Sequence, residues 1–151
     1  MTIKQQIDQD LKAALLDHNT FLTTVLRGIK SSILNEEIAQ NKRDEGLSEE
    51  NTISLLQKEV KKRLESAELY KQGNSNDRAE SELAEKEIIE EYLPAQMSDE
   101  ELNKLVEEAI KKTGANTMQQ MGQVIGMVRA TTNGQADGGR IAAAVKGKLS
   151  Q

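Results

Sequence analysis

The stretch that decides the fold is Glu91-Tyr92-Leu93-Pro94-Ala95-Gln96-Met97-Ser98-Asp99-Glu100-Glu101, past the middle of a chain of 151 residues. Pro94 is the only proline; it cannot continue a helix, and it disfavours the helical conformation at Leu93. Ser98 and Glu101 then have the spacing of a capping box, which starts a new helix. The sequence therefore predicts a boundary here, between an N-terminal helical domain (1–94) and a C-terminal tail domain (95–151).

Upstream of this boundary, apolar residues recur at helical spacing in four segments. The predicted helices are 3–17, 20–41, 49–72 and 78–92, separated by runs of polar and turn-forming residues. Asn19 or Thr20 can cap the second helix and Ser48 can cap the third. Three of the residues assigned to the inner faces of these helices are Leu15, Ile38 and Leu64.

Downstream, the same signals predict three shorter helices. The first runs from Ser98 to Gly114, the second follows another capping box at 117–120, and Asp137 caps the third. No strand pattern is present, and aromatic residues make up only 2% of the chain, which disfavours a β-sandwich or barrel. We therefore predict an all-α protein with about four helices in the first domain and three in the tail.

The chain lacks the residues that several classes of protein function need. The chain has no cysteine, which excludes disulfides, thiolate metal ligands and cysteine nucleophiles. His18 is the only histidine and has no catalytic or metal-ligating neighbours, so we interpret it as a polar residue at a helix end. Adjacent carboxylates such as Glu36 and Glu37 point about 100° apart on a helix, so they do not converge on one site, and we interpret these pairs as part of a solvated helix surface. We expect no catalytic residues, no metal and no cofactor.

Composition and apolar runs also bear on where in the cell the protein is located. The first eight residues contain no apolar core of a signal peptide, and no run reaches the roughly 18 apolar residues of a membrane span. The lack of cysteine fits a reducing compartment. These observations predict a cytoplasmic protein that does not enter the membrane.

The distribution of charge favours one part of the chain for binding phosphates. The net charge of −5 disfavours general binding to nucleic acid, but residues 47–94 carry most of the excess acid. After Ala109 the chain has six basic residues and one acid, Asp137. The six candidate phosphate contacts are Lys111, Lys112, Arg129, Arg140, Lys146 and Lys148.

Two further segments have a structural and a functional interpretation. Lys58, Lys61 and Lys62 share one face of the third helix, where they can pair with the acidic fourth helix or contact a phosphate or a partner. Residues 134–140 form either a tight turn with an N-cap at Asp137 or a glycine-rich phosphate site helped by Arg140. The sequence leaves both pairs of alternatives open.

These segments also carry a family resemblance, which extends nearly from end to end in matching order. The matching segments are Thr24-Val25-Leu26-Arg27, Asn35-Glu36-Glu37-Ile38, Lys58-Glu59-Val60-Lys61-Lys62-Arg63, Glu91-Tyr92-Leu93-Pro94, Met121-Gly122-Gln123-Val124 and Gly134-Gln135-Ala136-Asp137-Gly138. The chain resembles the YqeY-like family, free-standing relatives of the C-terminal helical and tail regions of the aspartyl/glutamyl-tRNA amidotransferase B subunit. The tail motif of this resemblance comprises Gly122, Gly134, Asp137 and Gly138.

The resemblance implies a helical domain followed by a tail that helps to hold tRNA, with the catalytic domains of the amidotransferase absent. We therefore expect a non-catalytic tRNA- or RNA-associated module, with tRNA or an amidotransferase/aminoacyl-tRNA complex as its partner. The sequence leaves the oligomeric state open and is compatible with a monomer. Gln135 stands where the family tail often has a basic residue. The alternative is a helical protein-interaction module without RNA binding, which would hold a partner helix in an apolar groove between the lobes.

Overall fold

A computed structural model describes residues 1–150 and shows an all-α protein, as predicted. Its seven α-helices, with no strand among the described residues, are α1 (Ile3–Leu16), α2 (Thr20–Ala39), α3 (Glu49–Gln72), α4 (Asn76–Glu90), α5 (Asp99–Thr113), α6 (Met121–Thr132) and α7 (Gly138–Leu149). A 3₁₀ turn, Met118–Gln120, precedes α6. None of these helices is long and apolar enough to cross a membrane.

The chain separates into two compact units, Met1–Leu93 and Pro94–Gln151. We refer to them as the first unit, which contains α1–α4, and the second unit, which contains α5–α7. Each has its own apolar core.

The predicted helix starts are present because each capping residue bonds an amide of the first turn. The Ser98 hydroxyl accepts from the Glu101 amide, and the Glu101 side chain accepts from the Ser98 amide, which completes the capping box. At the start of α3 the Ser48 hydroxyl accepts from the Asn51 amide, and at the start of α2 the Asn19 side chain accepts from the Leu22 amide. α4 begins two residues earlier than predicted, at Asn76. His18 lies in the turn between α1 and α2 with a φ of 56°.

The first unit consists of two helical hairpins, α1 with α2 and α3 with α4. Its core is built from aliphatic residues of all four helices: Ile3, Ile7, Val25, Leu26, Ile29, Ile33, Leu56 and Ile89. The Glu49 carboxylate at the start of α3 accepts a hydrogen bond from the Ile3 amide at 3.1 Å, which joins α3 to the start of α1.

Three predicted inner positions are exposed instead. Leu15, Ile38 and Leu64 retain 43%, 51% and 44% of their accessible surface. In α2 the neighbouring Glu37 is buried in place of Ile38, and its carboxylate accepts a hydrogen bond from Lys4 at 2.7 Å. The prediction that all paired carboxylates form a solvated face is therefore wrong at Glu37, because a lysine from α1 satisfies the buried charge.

Candidate nucleic-acid interface

Two ion pairs fix the direction of α7 relative to α5 in the second unit. Arg140 Nη2 lies 2.9 Å from Asp99 Oδ1, and Lys148 Nζ lies 2.7 Å from Glu107 Oε1. The paired positions are eight residues apart on both helices, in the same chain direction. The two helices are therefore parallel, and their C-terminal ends lie at the same end of the unit.

α6 runs in the opposite direction between them. The Met97 amide, just before α5, donates to the Gln135 carbonyl, just after α6, at 2.7 Å. The end of α6 therefore lies beside the start of α5. α6 begins at the end of the unit where α5 and α7 stop.

This topology brings four of the six candidate phosphate contacts to one end of the unit. Lys111 and Lys112 lie in the last turn of α5, and Lys146 and Lys148 lie in the last turn of α7. We call these four residues the lysine end. Arg129 is not part of it, since it lies eight residues along α6, about 12 Å from the helix start at 1.5 Å per residue. Arg140 lies in the first turn of α7, at the opposite end.

The members of the lysine end differ in their contacts. Lys148 bonds Glu107, and this hydrogen bond and the Lys148 charge hold the pKa of Glu107 below its usual range. Lys111, Lys112 and Lys146 form no ion pair with any described residue. Asp99, Glu100 and Glu101 lie in the first turn of α5, at the far end. The first turn of α5 is therefore acidic, whereas the last turns of α5 and α7 are basic, with Glu107 as the acid that pairs with a member of the lysine end.

The tail motif forms a turn and an N-cap. Asn133 and Gly134 have φ values of 48° and 84°, and Asp137 Oδ1 accepts from the Arg140 amide at 2.7 Å. The Arg140 guanidinium donates to the Met97 carbonyl at 2.7 Å as well as to Asp99. Of the two alternatives for this segment, these contacts favour the structural one, since the Asp137 carboxylate occupies the helix start and Arg140 is already bonded.

The two other glycines of the tail motif are exposed and unconstrained. A Cβ atom added at Gly122 or Gly138 would meet no atom within 4 Å. Both lie in first turns, Gly122 in α6 and Gly138 in α7. Neither position requires glycine for packing among the described residues.

The basic patch on α3 does not pair with α4, which was the structural alternative for it. Lys62 Nζ lies 3.4 Å from Glu59 Oε1 of its own helix, and Lys58 and Lys61 are exposed without an ion pair to any residue from 1 to 150. Glu59 is the acid that the sequence analysis missed. It is 7% exposed and accepts a 2.6 Å hydrogen bond from Arg63. The i,i+4 spacing of Glu59 and Arg63 was the available signal for this pair.

The described part of the chain has no cluster of side chains that could ligate a metal ion. No group of three or more histidine, aspartate or glutamate side chains in residues 1–150 is arranged to hold a metal ion.

Comparison with known proteins identifies the family. The sequence profile described as Yqey-like protein matches residues 4–149, essentially the whole chain. The chain belongs to the YqeY-like family. The resemblance found in the sequence motifs is thereby confirmed.

Two curated relatives also match this YqeY-like chain. One is "Altered inheritance of mitochondria protein 41, mitochondrial" of Clavispora lusitaniae, 38% identical over 111 residues, which are 71% of this chain and 62% of that protein. The protein of the same name from Lachancea thermotolerans is 34% identical over 87 residues, 58% of this chain and 46% of that protein. The matched region spans about half to three-fifths of the relatives' length.

The prediction of a cytoplasmic location is contradicted by these relatives, since both are named as mitochondrial proteins. The prediction rested on the lack of an apolar run in the first eight residues and on the lack of cysteine. An apolar leader marks secretion only, whereas mitochondrial leaders are amphipathic and rich in arginine. Neither feature therefore separates the cytoplasm from another reducing compartment.

Proposed function

We propose that this YqeY-like protein is a non-catalytic tRNA-associated module that contacts the RNA backbone through the lysine end of its second unit. The observation that carries the proposal is the parallel arrangement of α5 and α7. It places Lys111, Lys112, Lys146 and Lys148 together, although they are spread over 38 residues of sequence. The family resemblance to the amidotransferase B subunit supplies the choice of tRNA.

The chemistry of the lysine end supports contacts to phosphate rather than to bases. Lysine is a flexible point charge that binds phosphate without geometric specificity. The second unit has no aromatic side chain on which an unpaired base could stack. Binding should therefore be electrostatic and similar for different tRNAs, because phosphates carry no sequence information.

The lysines also have a structural role that the experiment must separate from binding. Cations in the last turn of a helix interact favourably with the negative end of its dipole. If this were their only role, replacing them would lower stability slightly and change no RNA affinity.

The experiment compares two matched pairs of charge reversals in the full chain. Lys111→Glu with Lys146→Glu alters the lysine end, and Lys58→Glu with Lys61→Glu alters the exposed patch on α3. Fluorescence anisotropy with two different tRNA transcripts is measured at several salt concentrations. With about three to five phosphate contacts, the log–log slope of the association constant against salt should be about −3 to −5.

We expect the lysine-end pair to weaken binding of both tRNAs by at least tenfold and to make the slope shallower. The α3 pair should have a much smaller effect. Binding that does not depend on salt, or a loss confined to the α3 pair, would overturn the proposal.

A further inference from the structure

A groove runs between α1 and α2 in the first unit. It has a volume of about 600 Å³. Its walls include residues at i, i+4 and i+7 spacing on each helix, and α2 adds two charged residues. The residues in register are Lys4, Asp8 and Leu11 on α1 and Arg27, Ser31 and Leu34 on α2, and the two additions are Lys30 and Glu37. Ile33 is buried at its base. Because each wall follows one helical face, the groove is straight along the helix axes.

The apolar surface of the groove extends beyond its two ends. Leu15 continues the α1 face by one turn and Ile38 continues the α2 face by one turn, and both are exposed. Leu34, between them, is 42% exposed. An exposed aliphatic stripe on a polar helical surface is typical of a contact with another protein.

The charges along the groove leave one cation without a partner. Lys4 bonds the buried Glu37 at 2.7 Å, and Lys30 lies 2.7 Å from Asp8 Oδ1. Both acids of the groove are thereby neutralised. Arg27 forms no ion pair or hydrogen bond through its side chain with any residue from 1 to 150.

We infer that this groove is a docking site for an amphipathic helix of another protein, one that presents aliphatic side chains to Leu11, Leu34 and Ile38 and a carboxylate to Arg27. The face from Arg27 to Ile38 covers twelve residues and is about 16 Å long, which corresponds to three helical turns. A helix laid in such a groove uses anchors at i, i+3 or i+4, and i+7. The unpaired guanidinium then fixes its direction, since an arginine binds a carboxylate in a forked geometry.

Charge favours this occupant over the others. A second copy docked groove to groove would bring another unpaired Arg27, and the acids of its own groove, Asp8 and Glu37, already have cations. A polyanion would gain one free cation and would meet aliphatic side chains and two carboxylates. A small amphiphilic anion could reach Arg27 but would leave the outer stripe, including Ile38, uncovered.

The test uses the full chain and two synthetic helical peptides of 14 residues with blocked ends. Both carry leucine at three positions spaced i, i+4 and i+7. One has glutamate and the other has lysine at the position that should face Arg27. Binding is followed by NMR of ¹³C-labelled isoleucine and leucine methyl groups, at several protein concentrations. Decanoate is titrated separately as the small amphiphile.

Two protein variants have matched controls. Arg27→Glu is compared with Arg43→Glu, which alters an exposed arginine in the loop before α3. Leu34→Lys is compared with Leu64→Lys, because Leu34 and Leu64 are exposed to a similar degree. Folding of each variant is checked by the methyl spectrum of the buried Ile29 and Ile89.

We expect the glutamate peptide to shift the methyl signals of Leu11, Leu34 and Ile38. Its affinity should fall at least tenfold in Arg27→Glu and Leu34→Lys and should not change in the two controls. Arg27→Glu should instead prefer the lysine peptide. The inference is overturned if neither peptide shifts these signals, or if both bind equally to every variant. It is also overturned if the signals depend on protein concentration alone, which indicates self-association, or if decanoate shifts them as strongly as the peptide.

Discussion

Glu59 is a buried carboxyl group whose pKa makes the stability of the fold depend on pH. Its carboxylate is nearly buried on α3 and accepts a hydrogen bond from Arg63 at 2.6 Å, with Lys62 3.4 Å away. Burial alone would raise the pKa of Glu59, but the hydrogen bond from Arg63 and the charges of Lys62 and Arg63 outweigh it and hold the pKa below its ordinary value of 4.5. A carboxyl group whose pKa is lower in the folded than in the unfolded state stabilises the fold above its unfolded pKa.

We predict that Glu59→Gln lowers the free energy of unfolding at pH 7 by about 1–3 kcal/mol, the usual contribution of a hydrogen bond to a charged group. The deficit should stay constant down to about pH 5 and shrink as the pH falls below 4.5, because the unfolded chain then takes up a proton at Glu59 before the folded chain, whose pKa is lower, does so. Urea unfolding followed by helical circular dichroism, at pH 7, 5, 4 and 3, measures it. The exposed Glu65→Gln is the control and should show almost no deficit at pH 7. An unchanged deficit for Glu59→Gln at pH 3 would contradict the prediction.

Glu37 and Ile38 show where inference from sequence fails at this scale. The hydrophobic pattern predicts that Ile38 lies in the core and Glu37 in solvent. In the structure Glu37 is buried and Ile38 is exposed. The isoleucine is left on the outer face of the α1–α2 groove, and the glutamate is satisfied by Lys4, 33 residues earlier. The spacing of apolar residues along one helix cannot reveal such a pair, because the lysine that makes burial of the glutamate possible lies on another helix.

At the scale of the element, the ends of the helices are set by local chemistry. Ser98 and Asp137 were identified as caps from their neighbours alone, and both bond the amide three residues later. Gly114 ends α5 in the left-handed conformation, with a φ of 69°. Starts and stops could therefore be predicted to within a few residues, since capping involves only residues close in sequence.

The same substitution should have opposite effects at two glycines of the second unit. Gly114→Ala should lower the free energy of unfolding by about 1–2 kcal/mol, because a side chain is strained in the left-handed region. Gly126→Ala should raise it by about 0.5–1 kcal/mol, because Gly126 lies within α6 and a Cβ there meets no atom within 4 Å. Thermal and urea unfolding of both variants measure the difference. A gain at Gly114 would show that the left-handed conformation does not set the end of α5, and a loss at Gly126 would show that a side chain at this position in α6 is not free of contacts.

At the scale of the whole molecule, the proposed RNA contact depends on topology that the sequence does not contain. The basic residues after Ala109 could be counted in advance, but their grouping depends on α5 and α7 being parallel. That arrangement separates Arg129 and Arg140 from the lysine end. The sequence does not predict the α1–α2 groove for a similar reason: its walls come from two helices, and Ile38, which continues its α2 face, is predicted to lie in the core.

The core of the second unit is large enough for the stability of this unit alone to be tested. The second unit has a core of its own, formed by residues of α5, α6 and α7 and the loops between them: Leu102, Val106, Ala109, Ala115, Val124, Val128, Ala136, Ile141, Val145 and Leu149. A core in a unit of fewer than about 70 residues rarely supplies more than 3–5 kcal/mol. The tail domain can therefore be stable alone only by a narrow margin.

We predict that a fragment of residues 94–151 folds alone, with a helical spectrum and a free energy of unfolding of at most about 5 kcal/mol. In the full chain the methyl signals of Ile89 and Ile141, each fully buried in one unit, report the two units separately. Val106→Ala should lower the urea midpoint of Ile141 and leave that of Ile89 unchanged, because the cavity lies in the second core. Ile29→Ala, a matched change in the first core, should do the reverse. A fragment without helix, or one shared midpoint that moves with either substitution, would mean that the chain folds as a single cooperative body.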